Sequence, residues 1–194
     1  MLGELPESLT VGGKEYEINT DFRIALLIME ALNDEELSDI EKATVILMNL
    51  FCDEVEPEHY EEALKQASIF LDGGVNYNNE DDNETGNNKP KEKPVIDWVK
   101  DARFIFSAVN KVAGCEVRAL PNLHWHTFLG YLSEMDECML STIINIRRKK
   151  NAGKKLDKTE QEFYKKNKDI IDIKPKLTRE EKEQMEALKK KLGL

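Results

Sequence analysis

Residues 8–32, SLTVGGKEYEINTDFRIALLIMEAL, change their apolar period part-way, and that change decides the fold. Ser8–Val11 and Lys14–Ile18 flank Gly12-Gly13. A two-residue primed turn needs positive φ at both central positions, which two glycines supply without strain. Tyr16 and Ile18 share one face of the second strand and charges take the other, the alternation of a half-buried strand. From Phe22 the period becomes helical: Ala25, Leu26, Met29 and Leu32 fall on one stripe, widened by Ile24, Leu27 and Ile28. A lone hairpin is marginal in water, so this one is expected to lie on helices. The first helix is expected to be mostly buried.

Further helices follow. Ser38-x-x-Glu41 is a capping box, and Ile40, Ala43, Leu47, Leu50 and Phe51 form the expected inner face behind it. Pro57 suits a first helical turn, with Tyr60, Ala63, Leu64, Ala67 and Leu71 inward and Gly73-Gly74 as the stop. Residues 75–94, VNYNNEDDNETGNNKPKEKP, bury too little to offset chain entropy and read as a disordered acidic linker. Val95, Trp98, Val99, Ala102, Ile105, Phe106 and Val109 then make a broad stripe closed by Gly114. Pro121 introduces a shorter helix carrying Trp125, Phe128, Leu129 and Leu132. Met139, Leu140, Ile143, Ile144 and Ile146 lead into Arg147-Arg148-Lys149-Lys150, cations that complement a helix C-terminus. The expected architecture is mostly α: a hairpin on three helices over 1–74, a linker over 75–94, a second helical part over 95–153, and a basic arm over 154–194. That arm ends in a helix opened by Thr178-x-x-Glu181, with a thin stripe of Met185, Leu188 and Leu192.

The 194 residues are 40% hydrophobic and 34% charged, with a net charge of −10. Residues 1–100 hold 24 acids against 8 bases, and residues 101–194 hold 14 against 20. A net acidic chain is not built primarily to coat nucleic acid, which requires phosphate neutralisation. No apolar run reaches the roughly 20 residues of a membrane span, and Met1–Pro6 lacks the features of a secretory signal. Cys52, Cys115 and Cys138 are odd in number and unpaired in spacing, which fits a reducing cytoplasm.

Candidate chemistry is sparse. His124-Trp125-His126 places its histidines on different sides of a helix without further ligands, so Trp125 is expected to pack and the histidines to sit at a helix start. Asp81-x-Asn83-x-Thr85-Gly86 with Glu92 approaches a calcium loop, but Pro90 interrupts it and no amphipathic helix enters it. There is no Gly-x-Ser-x-Gly elbow, and each Cys lies in an apolar stretch that suits a small buried thiol. No catalytic residue, metal ligand or cofactor site is expected. The cationic run Arg147–Lys155 lacks interleaved aromatics and reads as a solvated helix end or a dock for an acidic partner, including another copy. Met185, Leu188 and Leu192 are the candidate partner contacts, with Arg147 and Arg148 as electrostatic guides.

Asp97-Trp98-x-x-Asp101, Ile105, Leu123-His124-Trp125-x-x-Phe128-x-x-x-Leu132 and Ile143-x-x-Ile146-Arg147 together resemble the bacteriophage gene-product-fifteen family of long-tailed phages and prophages of Gram-positive bacteria. The opening, Leu5-Pro6 … Val11-x-Gly13-x-x-Tyr16-x-Ile18-Asn19-Thr20-Asp21-Phe22-Arg23, is similar to that family's opening. The resemblance implies a tail assembly chaperone of the host bacterial cytoplasm. Such a protein binds the tape measure protein and helps recruit the major tail protein. It would place Asp97, Trp98, Asp101, His124, Trp125 and Phe128 in the family's core pattern. The rival readings are a tail component retained in the virion and a nucleic-acid-binding regulator.

Overall fold

The computed structural model describes residues 3–74 and 93–173. Strands β1 (Ser8–Val11) and β2 (Lys14–Glu17) pair antiparallel, with Val11 opposite Lys14 and Leu9 opposite Tyr16. Gly12 and Gly13 take φ of 59° and 76°, the positive pair that a primed turn demands. A Cβ on Gly12 would also stand 2.4 Å from His59 Nε2, and the Gly12 N–H donates to Glu62 Oε2 at 2.9 Å. The turn is thereby pinned to the segment that opens the third helix. Tyr16 and Ile18 are both buried, as the alternation predicts. The Tyr16 ring meets Phe51 edge-on at 6.1 Å, while the Cys52 N–H donates to Glu17 O and the Asn19 N–H to Leu50 O. These bonds join the hairpin to the end of the second helix.

Helix α1 (Phe22–Leu32) is capped by Asp21 and buries Phe22, Ala25 and Ile28. Leu27 and Leu32 are exposed, so this helix is covered on one side only and is less buried than its composition suggests. Helix α2 (Asp39–Leu50) opens with the capping box expected from Ser38 and Glu41. Its inner line is Ile46 and Leu50, with Ala43 and Leu47 half-buried. Ile40 lies about 120° around the helix from Ile46 at 3.6 residues per turn. It is 80% exposed, which corrects the expectation that it faces the core. A short 3₁₀ turn, Pro57–His59, leads into α3 (Tyr60–Leu71), which buries Ala63, Ala67, Phe70 and Leu71 while Tyr60 stays outside.

Helix α4 (Ala102–Ala113) starts later than its apolar stripe and ends at Gly114, whose φ is 69°. The delay comes from Asp97, whose Oδ1 accepts the N–H groups of Val99 and Lys100 and folds residues 97–101 into turns. Helix α5 (Trp125–Ser133) starts after His124 rather than at Pro121, because the His124 ring accepts the His126 N–H as a side-chain cap. Helices α6 (Met139–Asn151), α7 (Lys158–Lys166) and α8 (Lys168–Ile171) follow.

Residues on both sides of 75–92 build one apolar cluster. Phe22 stacks on Phe128 at 4.8 Å, Phe106 meets both edge-on, and Trp125 Nε1–H donates to Leu71 O at 2.9 Å. The two helical parts therefore close a common core. A smaller cluster joins Ile143 and Ile146 of α6 to Ile171. Within the expected basic arm, residues 154–173 turn back and pack on α6. Cys52 and Cys115 are exposed, a correction to the small buried thiols expected there. Most of the expected linker and the whole expected terminal helix lie outside the described residues, and with them Met185, Leu188, Leu192 and the calcium-like loop from Asp81 to Glu92.

Candidate functional site

Two joints fix the position of the surfaces this fold offers. At the first, residues 19–23 pair with residues 123–125. The Phe22 N–H donates to Leu123 O at 2.9 Å and the Trp125 N–H to Thr20 O at 2.7 Å. Asp21 caps α1 through the Arg23 N–H and also accepts the Leu123 N–H. Arg23 reaches across to the carbonyls of Arg118 and Leu120. His124 Nε2 contacts Pro6 O at 3.0 Å while its Nδ1 accepts the His126 N–H, so both ring nitrogens are used within the fold. His126 Nε2 donates to Phe70 O at 2.8 Å, and burial pushes its pKa down. The His-Trp-His run is thus a capping and packing element, with the two imidazoles 5.2 Å apart edge-to-face rather than on different sides of the helix as the spacing predicts.

The second joint is ionic. The Arg147 guanidinium is 4% exposed and pairs with the fully buried carboxylate of Asp101 through both terminal nitrogens. Its remaining donors go to Val95 O at 3.0 Å, Ile170 O at 3.0 Å and Ile171 O at 2.6 Å. All five guanidinium N–H groups are therefore used. Asp101 also accepts the Asp97 N–H at 2.9 Å. This corrects the role expected for Arg147: it is consumed inside the fold and cannot guide a partner. Lys149 pairs with Glu160, and Lys150 with Asp172 and the Tyr164 hydroxyl. Half of the six cations in Arg147–Lys155 are thus engaged internally, while Arg148 remains exposed. The pairing had a sequence signal. Arg147 lies four residues after Ile143 and Asp101 four before Ile105, which places each charge on a buried helix face.

Against this joint lies a groove of about 690 Å³. Its floor is apolar, formed by Ile96, Trp98, Val99, Ile171 and Ile173, and Glu30, Glu35 and Asp97 stand on its walls. A second bare apolar surface is the outer face of α2. There Ile40 and Met48 are 80% and 76% exposed, with exposed Thr44 between them at four-residue spacing. Neither surface is legible in the sequence, because a hydrophobic residue at a helical position looks the same whether or not a neighbour covers it. Among the described residues, one group of potential metal ligands converges: Glu56, Glu58 and His59, with ligand atoms within 4.8 Å of one another on the surface. Two exposed carboxylates and one half-buried imidazole fall short of the four ligands of a structural zinc site. Cys52 is a poor nucleophile, since partial burial, then Glu17 and Asp53, push its thiol pKa up. Among the described residues no helix is long and apolar enough to cross a membrane.

The pattern of paired segments can be set beside known proteins. A model of the family described as Bacteriophage Gp15 protein matches residues 1–173. The chain belongs to that family. Neither a curated protein nor a solved structure matches it. As a Bacteriophage Gp15 protein it is a phage structural or assembly protein. Within the matched residues the segments meet two by two: Asn19–Arg23 clasps Leu123–Trp125, and Asp97–Asp101 receives Arg147. They build the scaffold. The match ends at Ile173, so Met185, Leu188 and Leu192 lie beyond it as well as beyond the described residues.

Proposed function

We propose that this chain is a tail assembly chaperone of the host bacterial cytoplasm, which binds the tape measure protein and helps recruit the major tail protein without catalysis. Family membership supplies the phage assembly context. The observation that carries the chaperone reading is the bare stripe on α2, Ile40 and Met48, within the family-matched residues. A tape measure protein is a very long helical chain whose apolar stripes are exposed until the tail tube closes around it, an aggregation hazard during assembly. A chaperone for it needs apolar contact surface on a densely charged, soluble body. Helix α2 offers such a surface beside Asp39 and Glu41. Arg148, exposed in the basic run, would steer an acidic client segment, and Met185, Leu188 and Leu192 add a second apolar stripe.

Co-expression tests this reading. The tape measure protein should move into the soluble fraction with the wild-type chain and remain insoluble with the Ile40→Glu, Met48→Glu double variant, which leaves the core untouched. Unchanged solubility with the wild-type chain would sink the chaperone reading. Purified phage particles should lack the protein by mass spectrometry; its presence at fixed stoichiometry would favour a structural tail component.

A further inference from the structure

The groove beside the Asp101–Arg147 joint is formed partly by the place where the described chain stops. Ile173 lines it, and 21 residues, 174–194, continue from that point. They carry seven bases against four acids and, over 178–192, the apolar stripe Met185, Leu188 and Leu192. The groove has the complementary character. Its cations Arg147 and Lys150 are already paired with Asp101 and Asp172, which leaves Glu30, Glu35 and Asp97 facing Lys93 around an apolar floor. We infer that residues 178–192 of the same chain dock in this groove and cover Trp98 and Val99.

Reach and charge both favour this occupant. Four residues lie between Ile173 and Thr178, five residue steps that span at most about 16–18 Å, so the stripe is tethered to the groove mouth. A tether this short makes the effective concentration of the segment very high compared with any free partner. The other segment adjacent in sequence to a groove residue, 75–92 before Lys93, carries five acids against two bases and has no apolar stripe. The acidic walls repel it. The docking stands apart from the chaperone reading. Only its consequence, that a client helix must compete with the chain's own tail, rests on that reading.

Trp98 provides the measurement. Trp125 is fully buried, so acrylamide quenching in the full-length protein reports mainly on Trp98. Wild type should show a weakly quenched Trp98. Leu188→Glu should raise the quenching severalfold without changing the circular dichroism spectrum. Lys190→Gln makes the same change in net charge on the opposite side of the helical pattern and should leave quenching near wild type. Equal quenching in wild type and Leu188→Glu would overturn the docking. Shielding that disappears on dilution would also overturn it, because the groove would then be filled by the tail of a second copy. The co-expression assay is separate: a tape measure protein left insoluble by wild type, with Trp98 still shielded, would reject the chaperone reading and keep the docking.

Discussion

The two joints of this molecule hold its segments together by opposite means. Beside the 19–23/123–125 pairing, the rings of Phe22, Phe106, Trp125 and Phe128 stack or meet edge-on, and their burial, unlike an ion pair, is largely non-directional and tolerates adjustment. Around Arg147 it is joined by one guanidinium whose five donors each have a single acceptor. The first kind of joint degrades gradually and the second fails at once. Buried charge is expensive to leave unpaired, whereas an apolar gap costs in proportion to its size.

The largest effect tests that contrast directly. Arg147→Ala leaves the Asp101 carboxylate buried and uncompensated, and denaturant unfolding should show a loss of about 3–5 kcal/mol. Arg147→Lys should recover little of it, since an ammonium cannot reproduce the fork that holds Asp101 and three carbonyls together. A loss below about 1 kcal/mol in Arg147→Ala, the range of a surface pair, would break the comparison. On the aromatic side, the conservative exchange Phe128→Leu should cost only about 1.5 kcal/mol, because neighbouring rings can close on the smaller side chain. Ser38→Ala, which removes the capping box of α2, should cost about 1 kcal/mol by the same assay.

The buried Tyr16 hydroxyl has no hydrogen-bond partner among the described residues, the reverse of Arg147. Tyr16→Phe should therefore be neutral or stabilise by up to about 1 kcal/mol, and a marked loss would mean that the hydroxyl is satisfied. The smallest effect is a pH dependence. His126 has its pKa lowered from 6.5, by burial first, so the unfolded chain binds a proton before the folded one does as pH falls. Its contribution is full above about pH 6.5 and is lost as pH drops through the folded value. Thermal melts at pH 7.5 and 5.5 should differ less for His126→Gln, which can still donate to Phe70 O, than for wild type.

Much of the scaffold was legible before any coordinates. The hairpin, the Ser38 cap, the Gly114 stop and the packing role of Trp125 follow from local rules that read a few neighbouring residues. What stayed hidden depends on distant partners. Ile40 and Met48 have the composition of a core and the exposure of a surface, and only the placement of the other elements separates the two. Helix α4 starts late because one carboxylate, Asp97, captures two backbone N–H groups. Arg147 reads as part of a solvated basic run because the next three residues, Arg148, Lys149 and Lys150, are all cations, although its spacing from Ile143 points inward. The candidate surfaces were not legible at all, since a groove belongs to an arrangement of segments rather than to any one of them.

The common core built from both sides of residues 75–92 has a consequence for the chain's connectivity. A molecule severed anywhere in that stretch should persist as a tight two-piece complex, and two separately expressed fragments should find each other and refold. The tolerance to a break there comes from the rings and the guanidinium elsewhere, which hold the pieces in place whatever lies between them.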